Sequence, residues 1–353
     1  MLKYKSNLLV ISSMYCYQII LIAAFILLVS CAQQKHCSPD NLGCVLKVFE
    51  KDEFGDLHAV MVMQNGNLIF EQYYNDSQAS DQIDVRSAGK SVTALLMGVA
   101  VDKKFINNLD HTVSTYWSEA KGTAVGEVGL KNLLTMRSGL DADANNEASY
   151  GYEDNMDQSD DPMAFALTVP NKTKPGTLYS YNSLAAYISG IVIGRATKKE
   201  FGEFAVAYPF KPLNIEKSLN WQKDSSGITK GQGNLFITAR AFTRLGQLVL
   251  DRGMYNGEKI ISRKWFDTML APHVDISHSD SNADAYGYYW YQRFYPINKQ
   301  KVEVWFASGN GGNKIYIAPE LSLVVTVMSD AYGQGRSHRR SEKILLEILK
   351  IKI

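Results

Sequence analysis

The sequence predicts an α/β fold of the α+β kind: one antiparallel sheet flanked by terminal helices, with an all-helical lobe inserted. Three observations predict it. Strand-like segments cluster near residue 60 and again beyond residue 287. The stretch from Val113 to Leu219 between them has helical periodicity and little strand character. An amphipathic segment, Ser341 to Ile353, carries Ile344, Leu345, Ile348 and Leu349 at helical spacing.

In chain order, Val45 to Asp52 reads as a short helix. Ala59–Met63 and Leu68–Tyr73 flank Asn65-Gly66, a hairpin turn signal, because both residues tolerate positive φ. An apolar helix follows from Ser91 to Val101. The middle stretch predicts helices at Leu130–Met136, Pro162–Val169, Ser183–Ala196 and Glu200–Tyr208. Helices at Ile237–Leu250 and Ser262–Leu270 come next. The returning strands are Gly287–Phe294, Lys301–Ala307, Lys314–Ala318 and Leu321–Met328. Pairing of the early hairpin with this late meander closes one sheet. The α/β lobe then comprises about 45–112 and 220–353, and the helical lobe about 113–219. Active sites commonly form in the cleft between such lobes.

Residues ahead of position 45 read as targeting. Lys3 and Lys5 precede the apolar run Leu8–Ser30, expected to be an export signal over 1–30. The run ends in Leu28-Val29-Ser30-Cys31, which resembles the lipobox of bacterial lipoproteins. That resemblance implies cleavage before Cys31 and a lipid on its thiol; an uncleaved signal anchor is the alternative. Cys37 and Cys44, in the linker 31–44, are spaced to close a small loop in an oxidising compartment. No cysteine follows position 44, so cysteine chemistry in the folded body is excluded. A formal charge of +1 with acids and bases interspersed points away from nucleic acid.

The chemistry centres on Ser87-Ala88-Gly89-Lys90, which opens the apolar helix. Residues at i and i+3 share a helix face. A serine hydroxyl needs a neighbouring base, and lysine serves only when neutral. From a reference pKa near 10.4, neutrality at pH 7 costs about 4–5 kcal/mol. Burial or the positive end of a helix lowers that cost. An N-cap serine fits the same position. A second Ser-x-x-Lys, Ser118 to Lys121, lies among glycines and polar residues and reads as surface loop.

Two further segments carry polar groups at element ends. Pro175-Gly176-Thr177-Leu178-Tyr179-Ser180-Tyr181-Asn182-Ser183 turns into a helix, where Tyr181 could exchange a proton with Ser87; Tyr179 is the competing register. Ala307 to Asn313 ends one strand before another begins, and its glycines let backbone approach a ligand closely. Such a strand end could oppose a backbone N–H to that of Ser87, forming an oxyanion hole. The acidic run Asp141 to Asp161 begins like a calcium loop but has Asn146 at the turn glycine and Tyr152 at the closing Glu, and reads as a solvated loop. Tyr286, Tyr288, Tyr289, Trp290 and Tyr291 wall a pocket or pack across strands. No Gly-x-Ser-x-Gly elbow, Walker loop or His-Glu-x-x-His is present, and the six histidines form no obvious triad.

In that order, Ser87-x-x-Lys90, Tyr181-x-Ser183 and the glycine-rich strand end resemble the penicillin-recognising serine hydrolases. That superfamily holds class C β-lactamases, DD-peptidases and esterases; the likeness is nearest to its 6-aminohexanoate-dimer hydrolase branch. Leu133 to Leu140, Pro175-Gly176-Thr177, Leu245 to Leu248 and Gly309-Asn310-Gly311-Gly312 support it. The resemblance implies the β-lactamase/transpeptidase-like fold, Ser87 as acylated nucleophile and Lys90 as its base or proton partner. It implies Tyr181 as the second proton carrier, Ser183 assisting near both, and the N–H groups of Ser87 and Asn310 as oxyanion donors. Ser308 and Gly309 would form the substrate-binding strand. Two departures matter. Ser183 stands where these families usually have Asn, and Ala307-Ser308-Gly309 replaces Lys-Thr-Gly. Loss of that lysine argues against penicillins and peptidyl-D-alanine and favours esters or small amides.

The expected protein is a lipid-anchored serine hydrolase of the bacterial envelope, facing the periplasm or exterior. It would act on small esters, amides or peptide-like molecules without metal or organic cofactor. A β-lactamase or D-alanyl-D-alanine carboxypeptidase, and a non-catalytic binding protein that keeps the fold, are the alternatives.

Overall fold

A computed structural model describes residues 41–50 and 53–352. The expected export signal, Cys31 and Cys37 lie outside the described residues. The chain divides into two compact units, residues 1–45 and 46–353. Of the first, the described part is the beginning of a short helix, Leu42–Leu46; Cys44 within it is disulfide-bonded. Among the described residues no helix is long and apolar enough to cross a membrane.

The strands are β1 (Leu57–Gln64), β2 (Asn67–Tyr73), β3 (Gln82–Asp84), β4 (Leu219–Trp221), β5 (Leu235–Thr238), β6 (Met254–Tyr255) and β7 (Glu258–Lys259). They continue as β8 (Val274–Asp275), β9 (Ala285–Tyr286), β10 (Tyr291–Ile297), β11 (Gln300–Gly309), β12 (Asn313–Ala318) and β13 (Leu323–Ser329). Four helices matter to the site: α1 (Gly89–Asp102), α2 (Ser183–Thr197), α3 (Ala239–Leu250) and α4 (Gly335–Lys352).

The main sheet runs β2-β1-β13-β12-β11-β10-β9-β8, all antiparallel. The early hairpin therefore joins the late meander through β1 against β13, with Val60 opposite Val327. Asn65 (φ 51°) and Gly66 (φ 77°) form the expected turn. Strands β12 and β13 are buried along their whole length, so both faces must be covered. Helix α3 covers one: a Cβ on Gly246 would sit 2.6 Å from Ile315 and 2.7 Å from Val324, and Thr243 Oγ1 donates to Thr326 Oγ1 at 2.9 Å. Side chains alternate across a strand, so Lys314 and Tyr316 point to the other face, where α4 brings His338 and Glu342.

Two sequence expectations change. Residues 237–238 belong to β5, not to a helix, because β5 pairs with both β3 and β4 in a small sheet. Thr238 then caps α3 by accepting from Ala241 N at 3.4 Å. The strand expected at Gly287–Phe294 is broken until Tyr291, since Tyr289 (φ 58°) turns inward and its carbonyl accepts from Ser91 Oγ on α1 at 2.6 Å. Between β3 and β4 the described residues form helices, turns and isolated bridges.

Candidate active site

Ser87 lies on a single 3₁₀ turn, Arg86–Ala88, between β3 and α1. The N-cap alternative fails, since Ala88 holds that position and no side chain caps α1. Arg86 is in the left-handed region (φ 50°), a conformation costing about 1 kcal/mol or more for a non-glycine residue. The buried Asp84 carboxylate holds it there, accepting from Arg86 N at 2.9 Å and pairing with Arg86 Nε at 3.1 Å. Asn234 Nδ2 donates to the same carboxylate at 3.1 Å, and the Arg86 guanidinium lies 4.3 Å from the Tyr332 ring centre. The tight turn is thus fixed from both ends.

Helix α1 is buried all round from Gly89 to Ala100 and apolar beyond its first turn and Thr93. Its first turn carries Lys90, 1% exposed, whose Nζ donates to Ser87 Oγ at 2.8 Å and to Gln232 O at 2.8 Å. The Tyr181 ring centre lies 5.2 Å from the same Nζ. The main chain sets Tyr181: its carbonyl accepts from Ala144 N at 2.9 Å, and Ser180 N donates to Met136 O at 2.9 Å. Asn182 caps α2, accepting from Ala185 N at 2.8 Å. Tyr179, the competing register, packs its ring on Tyr286 at 5.4 Å. Burial pushes the Tyr179, Tyr286, Tyr289 and Tyr291 phenols up, so these four remain neutral at physiological pH.

Ser183 departs from expectation. Its Oγ donates to Glu153 Oε2 at 2.6 Å, so its proton is directed to a carboxylate rather than to Lys90 or Tyr181. The end of β11 fits against the Ser87 turn. A Cβ added to Gly309 would sit 1.9 Å from Val85 O and 3.1 Å from Ala88 N, so only glycine permits the approach. Asn313, fully buried and not singled out by sequence, laces the parts together. Its Nδ2 donates to Asn310 O (3.0 Å), Ser329 O (2.8 Å) and Asp84 O (3.3 Å). Asn310 is itself exposed, its Oδ1 accepting from Gly333 N at 2.8 Å.

Beside the site lies a cavity of ≈ 170 Å³, lined among others by Tyr291, Ser308, Lys314 and His338. Tyr291 also stacks toward Tyr181, ring centres 6.4 Å apart. Sequence reading missed Lys314, although a lysine inside an apolar central strand is itself a signal. It corrects the reading of Ala307: a cation does reach this strand, from β12 rather than β11, with Lys314 Nζ donating to Ser308 Oγ at 2.6 Å.

The other expectations resolve on the surface. Ser118 is exposed and donates to its neighbour Glu119 at 2.7 Å. The acidic run is tied to the rest of the fold, Asp141 pairing with Lys172 at 3.2 Å and Asp157 with Lys230 at 2.9 Å, while Asp143 accepts from Asn145 N at 2.9 Å. Among the described residues no group of His, Cys, Asp and Glu is placed to hold a metal ion.

A serine hydroxyl hydrogen-bonded to a buried lysine, beside an antiparallel sheet with a helical insertion, defines the β-lactamase/transpeptidase class of fold. The chain belongs to the beta-lactamase family, whose profile matches residues 57–350. It is 21% identical over 224 residues to the 6-aminohexanoate-dimer hydrolase of Paenarthrobacter ureafaciens, covering 60% of this chain. The match spans 57% of that relative's length. A family VIII carboxylesterase superposes with TM-score 0.70 at 15% identity, covering 89% of this chain and 99% of the other. A D-stereospecific amidohydrolase from a Streptomyces species gives TM-score 0.67 at 15% identity, covering 86% and 98%. At these identities the structural likeness is one of fold.

Proposed function

We propose that the protein cleaves an ester or small amide through an acyl-enzyme on Ser87. The observation that carries this reading is the 2.8 Å hydrogen bond between Lys90 Nζ and Ser87 Oγ inside a buried first turn. Ser87 Oγ attacks the substrate carbonyl carbon while its proton passes to Lys90 or Tyr181, two groups that act as one coupled unit. The oxyanion is held by the backbone N–H groups of Ser87 and Asn310. Collapse expels the alcohol or amine, which takes the proton, and water then releases the acid and restores the serine. The carboxylesterase and amidohydrolase neighbours support these two substrate classes. Fluorophosphonate labelling followed by peptide mapping tests the reading: the adduct is expected on Ser87. A label spread over other serines, or none, overturns it.

A second proposal concerns placement. Leu28 to Cys31 supports export and lipid attachment at Cys31, in a bacterial envelope. Cys31→Ser is expected to abolish fatty-acid incorporation and leave the precursor uncleaved; continued incorporation refutes the anchor.

A further inference from the structure

Asn313 opens β12 opposite Gly309 and is fully buried. Its amide meets three separate main-chain segments. Oδ1 accepts from Ser329 N at 3.1 Å. Nδ2 lies 2.8 Å from Ser329 O, 3.0 Å from Asn310 O and 3.3 Å from Asp84 O, so its two N–H bonds serve three carbonyls. Ser329, at the end of β13, is itself fixed. Its Oγ donates to Asp56 O at 2.6 Å and accepts from Arg340 Nη2 at 2.6 Å. The amide is therefore held from the central sheet. From there it reaches both the segment entering the Ser87 turn and the one carrying the second oxyanion donor.

The loop it holds has few side chains of its own. Gly311 (φ 88°) and Gly312 (φ 87°) are both left-handed, and a Cβ would sit 2.8 Å from the Tyr332 ring at the first and 2.8 Å from Ser337 O at the second. Gly309 O accepts from Gly312 N at 3.2 Å. In a trans peptide the carbonyl and the N–H point opposite ways, so the Asn310 N–H is turned away from Gly312. The bond from Asn313 to Asn310 O fixes the next peptide, and Gly333 N holds Asn310 Oδ1 at 2.8 Å on the exposed side.

We propose that Asn313 is a positioning residue for the oxyanion hole, keeping the Asn310 N–H aimed where the substrate's carbonyl oxygen gains charge. This rests on the acyl-enzyme reading of Ser87. Asn313 touches no reacting atom. It acts by tying together two segments far apart in sequence, so that the Ser87 and Asn310 donors keep a fixed separation. One such preorganised donor is typically worth about 10²–10³ in rate.

The test compares p-nitrophenyl acetate with its thiono counterpart, in which sulfur, a weaker hydrogen-bond acceptor, replaces the carbonyl oxygen. The wild type is expected to favour the oxygen ester by at least about 100-fold in kcat/KM. Asn313→Leu keeps the size of the side chain and removes its hydrogen bonds. It should slow the oxygen ester by about 10- to 100-fold and the thiono ester far less, so the ratio collapses. A merely structural role would lower both rates alike, and an unchanged ratio in the folded variant overturns the proposal. Should Asn313→Leu not fold, Asn313→Ser, which keeps one short donor, should lower the ratio by a smaller factor; an unchanged ratio there is equally fatal. A wild type that does not discriminate against sulfur also overturns it. Fluorophosphonate labelling separates the two readings. Labelled Ser87 with an unchanged ratio sinks the role of Asn313 alone, whereas absent labelling of Ser87 sinks the hydrolase reading and this proposal with it.

Discussion

Ser87→Ala is expected to lower kcat/KM by at least about 10⁴-fold on any ester or amide the wild type turns over, with the fold intact. Ser87 Oγ is the bond-forming atom of the proposed acyl-enzyme, and alanine at this site removes one hydrogen bond, from Lys90 Nζ at 2.8 Å. Lys90→Met should produce a loss of similar order, because methionine refills the space of the buried stem while the serine loses its proton partner and Gln232 O its donor. The pair acts as one unit, so the double variant should be scarcely worse than either single change. Steady-state kinetics on the three variants, with melting curves as a check on folding, decide it. Multiplying losses in the double variant would mean that lysine and serine act independently.

Gly309→Ala has the second largest expected effect, and it combines stability with activity. The new Cβ would overlap Val85 O at 1.9 Å, and that oxygen is backbone on the turn leading to Ser87. Neither partner is a flexible side chain, so strand or turn must move. We expect about 2–4 kcal/mol of destabilisation and a fall of several degrees in Tm. Turnover should slow by about 100-fold or more, since displacements near 1 Å cost that much when they misplace reacting groups. The rate of fluorophosphonate labelling, measured below the Tm of the variant, separates the two effects. Labelling at the wild-type rate with unchanged Tm would show that this strand end does not support the Ser87 turn.

The same two residues show what could be read without coordinates. Ser87 and Lys90 were legible because a helix places i and i+3 together whatever surrounds it. Gly309 was legible as a close-approach residue, but not what it approaches. The sequence favours Tyr181 with Tyr179 as the competing register; the main-chain hydrogen bonds to Met136 and Ala144 bring the Tyr181 ring to Lys90. Ser183 shows the reverse case, where the expected direction yielded to a carboxylate, Glu153, thirty residues away in sequence.

The hairpin at Asn65-Gly66, the buried helix from Gly89, and the late meander were determined by the sequence alone, because turn chemistry and hydrophobic period act over a few residues. Only the tertiary structure decided the small sheet of β3, β5 and β4, which sets the Ser87 turn, since its strands are three or four residues long and Ile83 of β3 pairs with the distant Ile237 of β5. It alone also decided that a lysine reaches Ser308 from the neighbouring strand. Register between strands carries that information, and register is set by packing over the whole sheet rather than by any local run of residues.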